Sequence, residues 1–402
     1  MQVKCAIFLL IFINFAIIVI ARKISPTKSS KISSNSNCEI NLNTEISENE
    51  PVYVMDNSIA EPNADKIIVK SKLKLVCLGK GNSLFQINQQ SIELSCDLGK
   101  FKSPNSKFSG FRATNCTKEI RADLKPTSKL CSKGLATIFE IGFFIDASFS
   151  KLFEVCFDQQ QASVVWTRSY INGKSIKYNI KESKRPTFRQ EGIQHKKVDA
   201  FYKKASQIKT FTDYLHSGDY FSERSFFARG HLTPDADFIF RYEQFATYFY
   251  MNVAPQFQEV NAGNWLSVEI LARKLAEKYQ TKLLTFNGVH GLLSLKEKTV
   301  YLDVVNRKIP APEWFWKIII DENAKAGIVM ISSNNPFGKN LKSSQFCPNV
   351  CLKAGYDPLK YKKLENVEKG YTFCCTIGDF TKIVNNLPDE VKSITNLLKI
   401  NV

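Results

Sequence analysis

Hydrophobic and polar positions change period several times along the chain. Residues 5–21, CAIFLLIFINFAIIVIA, are apolar apart from Asn14 and lie between Lys4 and the pair Arg22–Lys23. A positive start, an apolar middle and a small residue at the end read as a secretory signal peptide, residues 1–21, cut near Ala21. The competing reading is a membrane anchor, since a span needs roughly 17–25 apolar residues. The extreme N-terminal position favours export. Residues 22–37 are polar and rich in Ser and Lys, the composition of a flexible leader.

From residue 38 to 134, stretches such as KIIVKSKLKLVCLG and QSIELSCDLG alternate apolar and polar residues with Gly at the breaks. That period predicts strands of a small β-rich domain. Residues 135–402 form the second predicted domain. Its first stretch, LATIFEIGFFIDASFSKLFEVCFD, mixes helical and strand character. ASVVWTRSYING reads as a strand ending in an Asn-Gly turn. LLTFNGVHGLLSL, TVYLDVV, WFWKIII and AGIVMISS predict core strands. Trp265, Val268, Leu271, Ala272 and Leu275 recur at helical spacing, which predicts a helix capped by Asn261. The expected fold class is α+β, with a mixed, largely antiparallel sheet.

Composition narrows this further. Forty-four per cent hydrophobic residues exclude wholesale disorder. The chain has eleven cysteines, and Cys5 would leave with the signal. Ten remain: Cys38, Cys77, Cys96, Cys116, Cys131, Cys156, Cys347, Cys351, Cys374 and Cys375. An even number in an exported, extracellular chain predicts up to five disulfides, which brace the N-terminal domain and staple the loop-rich segment 335–375. Cys374 and Cys375 are expected to take different partners. A zinc site among the last four is disfavoured, because their spacing is not that of two CxxC knuckles and no histidine is near. The one glycosylation sequon, Asn115-Cys116-Thr117, is compromised if Cys116 is bridged. The formal charge of +17 points to a polyanionic partner: nucleic acid, sulfated glycan or an anionic surface. Residues 181–209 alone carry nine Lys or Arg against three acids.

Candidate chemistry sits in two segments. In RSFFARGHLTPDADF, Arg229 and His231 are two apart and share a face if the segment is a strand. An imidazole can take a proton from water while a guanidinium steadies phosphoryl charge. Gly230 allows a ligand or backbone to approach closely. In NVAPQFQEVNAGNWLSVEILARKLAEKY, Asn261 starts the predicted helix. Glu269 follows within the same broad face, and Arg273 is one turn beyond Glu269. An oxygen-rich site of this kind suits Mg²⁺, which keeps several waters. The bland alternatives are a core histidine, a plain cap and a solvated Glu269–Arg273 ion pair. His195, His216 and His290 carry no motif.

ARGH, NVAPQ and the series N, W, E, R that follows resemble the DNA/RNA non-specific endonucleases, a family of ββα-metal nucleases. ARGHLTPDADF and ATYFYMNVAPQFQEVNAGNW are similar to the secreted arthropod branch. The resemblance covers roughly residues 140–400. It implies a Mg²⁺-dependent (or Mn²⁺-dependent) cleavage of DNA and RNA, held through the phosphate backbone, to 5′-phosphate products. It implies His231 as general base, Asn261 as direct metal ligand and Glu269 as the holder of a metal water. Asn252 would help to hold the site. Arg229 and Arg273 would bind phosphate and stabilise the transition state, and Arg189 would be a further phosphate arginine upstream. One position departs from the family: Ala228 stands where an aspartate is usual. This keeps a second reading open, a secreted high-affinity nucleic-acid-binding protein on a nuclease scaffold. No stable membrane association is expected.

Overall fold

The computed structural model describes residues 37–181, 184–339 and 341–401. The signal-peptide reading of residues 1–21 and most of the leader lie outside the described residues. Among those described, no helix is long and apolar enough to cross a membrane. Ser36–Val402 form one compact unit.

Its centre is a sheet of nine strands. Eight run antiparallel in the spatial order Thr372–Cys375, Ala326–Ser333, Trp314–Asp321, Lys282–His290, Ser163–Asn172, Ser148–Asp158, Ala136–Ile145 and Asp123–Cys131. The short Asn396–Leu397 pairs in parallel with Ala326 and Gly327. The segment that mixed helical and strand character is a β-hairpin, Ala136–Ile145 against Ser148–Asp158. Ala136–Ile145 is buried along most of its length, and Asp146 turns the chain at a φ of 52°. Phe143, Ile145, Phe153 and Phe157 are buried, and β-branched and aromatic residues pack best on a pleated surface. Asp123–Cys131, on the N-terminal side of residue 134, is itself a strand of this large sheet.

Alternation along Trp314–Asp321 sorts the two faces. Trp314, Trp316, Ile318 and Ile320 pack on one side with Phe373 and Phe380. Phe315 and Ile319 point to the other side, against the helix that follows Asn261. Lys317 lies between them on that second face, fully buried. The register places Thr167 beside Asn287 and Asn287 beside Lys317. One polar row therefore crosses three strands inside an otherwise apolar layer.

The N-terminal part supplies a five-stranded sheet and a two-stranded one. Disulfides Cys38–Cys96 and Cys77–Cys116 brace it, and Asn115 holds the Asn49 amide with its side-chain oxygen. Cys131–Cys156 ties the edge of the large sheet. Cys347–Cys375 and Cys351–Cys374 clamp the C-terminal loops, so the two adjacent cysteines do take different partners.

On the second face sits a small hairpin, Phe227–His231 paired antiparallel with Val253–Phe257. The chain then enters a helix, but not at Asn261. A helical turn starts at Gln258, and Asn261 already has helical dihedrals. A wide turn over Asn261–Trp265 follows, then the long helix Leu266–Tyr279. Gly263 breaks the regular geometry with φ −99° and ψ −121°. The Lys369 backbone packs there, and a Cβ on Gly263 would come within 2.7 Å of its carbonyl oxygen. The next residue locks the break. Asn264 donates its backbone N–H to Lys369 and its side-chain amide to the carbonyls of Leu364 and Gly370 at 3.0 and 2.7 Å. Beyond the break the expected helical face is buried, with Trp265, Val268, Leu271, Ala272 and Leu275 in the core.

Asn264→Ala should leave the Leu364 carbonyl without its donor and take one of three donors from the Gly370 carbonyl, which also accepts from Ser332 and Thr372. Each buried group left unsatisfied costs roughly 1–3 kcal/mol. Thermal unfolding should show a lowered Tm with unchanged far-UV circular dichroism, and an unaltered Tm would refute the locking role.

Candidate active site

Residues two apart on a strand share a face, and Arg229 and His231 do so. Phe188 lies against both: its ring is 5.2 Å from the His231 ring and 5.6 Å from the Arg229 guanidinium carbon. Gly230 faces the opposite way. A Cβ there would meet Gln256 Oε1 at 2.5 Å, so the close approach that requires glycine comes from a packed side chain.

Tyr248 meets the His231 ring edge-on at 5.0 Å and donates its hydroxyl to Asp235 at 2.7 Å. His231 Nε2 is buried and has no hydrogen-bond partner among the described residues. Burial pushes the imidazole pKa down to about 4; the Asp235 carboxylate opposes this and the Arg185 guanidinium reinforces it. The ring is therefore neutral at physiological pH, the form a base requires. Asn252 is fully buried. It donates to the carbonyls of Thr233 and Thr247 and accepts from the Thr233 N–H, which fixes the segment just after His231.

Below this lies the polar row of the sheet. Thr233 donates to Thr167 at 2.7 Å, and Asn287 donates to Thr167 at 3.2 Å. Lys317 Nζ donates to Asn287 at 2.6 Å and faces Asp237 at 3.4 Å. Asp237 in turn pairs with Arg273 at 2.9 Å. The bland alternative of a Glu269–Arg273 ion pair is thus not what forms: Arg273 pairs with Asp237. Asp237 is buried beside a buried lysine and takes the guanidinium, because charges out of water need matched partners. Glu269 is half-buried. Burial pushes its carboxyl up to about 7; Lys317 and Arg273 pull it down, and Asp237 and Asp235 push it further up.

Asn261 is half-buried, and its side-chain amide has no hydrogen-bond partner among the described residues. Arg189 is not brought to this cluster. Its guanidinium lies 4.4 Å over the Phe249 ring, donates to the Ala122 carbonyl and pairs with Glu191. The backbone of this segment bridges to Phe249, so alternate side chains turn Phe188 toward His231 and Arg189 away. The cation of this segment whose charge reaches His231 is Arg185. Sequence reasoning also missed Lys317 and Asp237. Their available signals were a lysine inside the apolar run WFWKIII and an acid inside PDADF.

The sequence matches the family described as DNA/RNA non-specific endonuclease over residues 135–380. The chain belongs to this family. It is a nuclease, and nucleases of the DNA/RNA non-specific family are metal-dependent. A salivary endonuclease of Lutzomyia longipalpis is 32% identical over 363 residues, which cover 86% of this chain and 82% of that protein. Salivary protein Tsal1 of Glossina morsitans morsitans is 29% identical over 341 residues, covering 83% and 84%. The crystal structure of an EndoG/EndoGI complex aligns over 61% of this chain and 87% of that chain, at 16% identity and a TM-score of 0.36.

The residues present fit a family metal. The Asn261 amide and His231 Nε2 have no hydrogen-bond partner among the described residues, and Glu269 adds a carboxyl on the helix that follows Asn261. Among the described residues, no group of three His, Cys, Asp or Glu is placed to cage an ion. An amide oxygen and a carboxyl are donors of the kind a hard cation takes, with water in its remaining positions.

Two outcomes follow. Lys317→Met should strand Asp237 with one partner and destabilise the protein by about 3 kcal/mol in urea unfolding. Glu269 titrates near 7 folded and near 4.5 unfolded. The folded state therefore binds the extra proton between those values, and its stability falls as pH rises from 4.5 through 7. Glu269→Gln should stabilise the metal-free protein by about 2 kcal/mol at pH 8 and lose that advantage below pH 4.5. An equal difference at both pH values would contradict this.

Proposed function

We propose that this nuclease is a secreted, Mg²⁺-dependent endonuclease that cuts DNA and RNA, preferentially double-stranded, to 5′-phosphate products. The carrying observation is the pairing of a neutral imidazole, unpartnered at Nε2, with Arg229 on the same strand face. Export is supported by the N-terminal apolar run, the five disulfides and the salivary designation of the relatives.

In this reading His231 takes the proton of the attacking water. Arg229 and Arg273 hold the phosphate and stabilise the charge that develops on its oxygens. Arg273 is aimed by Asp237 and Lys317, and Arg185 takes the upstream position first read at Arg189. Asn261 would hold the Mg²⁺ directly and Glu269 would hold it through water. When bound, the ion supplies Lewis-acid stabilisation of the phosphate and the leaving 3′ oxygen. Contacts that reach only the backbone give little base specificity, and the net charge of +17 makes binding salt-sensitive.

A second reading, tight binding with little catalysis, is favoured by Ala228 in place of the family's usual aspartate. One experiment separates them. Plasmid DNA and long double-stranded RNA are incubated with the secreted protein in Mg²⁺, in EDTA and with His231→Ala. Cleavage of both substrates should vanish with EDTA and fall at least about 100-fold in the variant. Salt-sensitive binding without cleavage in any condition would favour the second reading.

A further inference from the structure

The two arginines assigned to phosphate are held in different ways. Arg273 is anchored by the Asp237 carboxylate. Arg229 has no carboxylate partner among the described residues. Its Nε donates to the Tyr250 hydroxyl at 2.9 Å. Its guanidinium carbon lies 5.3 Å from the Tyr202 ring, 5.5 Å from Tyr250 and 5.6 Å from Phe188. The rings also brace one another, with Tyr202 at 5.6 Å and Phe188 at 5.5 Å from Tyr250. Tyr202 and Tyr250 are both buried.

We propose that Tyr250, Tyr202 and Phe188 are positioning residues that aim Arg229 at the phosphate while leaving its positive charge uncancelled. The proposal rests on the nuclease reading above. A carboxylate would fix the guanidinium as firmly, but it would also offset the guanidinium's field and repel an incoming phosphate. An aromatic face attracts a cation through its quadrupole and carries no net charge. A phenol accepts one N–H and is likewise neutral. Arginine cannot shed its proton to relieve the mismatch, so the charge persists. The two Nη groups have no acceptor among the described residues. They form the planar fork that grips phosphate oxygens in a bidentate manner. The rings also restrict the side chain before substrate arrives, which lowers the ordering cost of binding.

The arrangement bears on the missing aspartate as well. Ala228 points to the opposite face of the strand from Arg229, so a carboxylate there would not do what the rings do. The box is built from elements outside the RGH motif. Phe188 arrives with the bridge between Arg189 and Phe249, Tyr202 follows a short helix over Val198–Phe201, and Tyr250 is two residues before the buried Asn252.

The test is a double-mutant cycle on Tyr250→Phe, Arg229→Ala and the combined variant. Tyr250→Phe keeps the ring and removes only the acceptor. It is expected to lower kcat/KM for duplex cleavage by about tenfold, the size of one charge-assisted hydrogen bond. Added to Arg229→Ala it should cause no further loss. Equal losses in both backgrounds would mean that Tyr250 acts on something other than Arg229, and would overturn the proposal. So would an unchanged kcat/KM in Tyr250→Phe. The same four proteins are compared for equilibrium binding of a labelled duplex in EDTA. Coupling in Kd with no cleavage by the unaltered protein would sink the nuclease reading and keep the box. Cleavage with additive effects in both assays would sink the box and keep the nuclease.

Discussion

A lysine buried in the middle of a sheet has to be matched by acceptors on the sides it can reach. Lys317 is matched by Asn287 across the strand and by Asp237 from above. Each of these is matched again, Asn287 by Thr167 and Asp237 by Arg273. Thr167 meets Thr233, whose backbone is held by Asn252. One buried charge therefore fixes the height of the hairpin that bears His231 and the rotation of the helix that bears Arg273. Breaking such a set at one member leaves the rest desolvated and unpaired, which makes the geometry all-or-none. The apolar layers around the row supply most of the stabilisation, while the row itself sets position.

Much of this was legible in the sequence. The strands around WFWKIII and AGIVMISS, the buried face of the long helix and the shared face of Arg229 and His231 follow from period alone. Other features depend on what the chain meets in three dimensions. Asn261 looked like a cap because Asn is favoured there, yet Gly263 and the Lys369 backbone move the irregularity two residues on. Arg189 looked like a phosphate ligand, but side chains on an extended segment alternate, and the residue turned to the site is Phe188. Lys317 and Asp237 could not be paired from sequence, because the contact joins residues eighty positions apart.

His231 and Glu269 respond in opposite senses to being kept from water. Desolvation holds His231 neutral and raises Glu269, so burial acts in one direction on the base and in the other on the acid. The cations nearest Glu269 are Lys317 and Arg273, which favour its ionised form. The acids Asp235 and Asp237 act against them, so that carboxyl sits close to balance near neutral pH.

The break at Gly263 is seated on residues 364–370, and that loop runs between cysteines bonded in two crosslinks, Cys347–Cys375 and Cys351–Cys374. In a reducing cytosol such bonds do not persist. The loop would then be tethered only through the strand Thr372–Cys375, and the turn that carries Asn261 would have a looser seat. The cell that synthesises the chain would be shielded from this nuclease by redox chemistry, since the start of the helix that bears Glu269 and Arg273 would be firmly seated only once the protein had entered an oxidising compartment, away from the genome and transcripts of its maker.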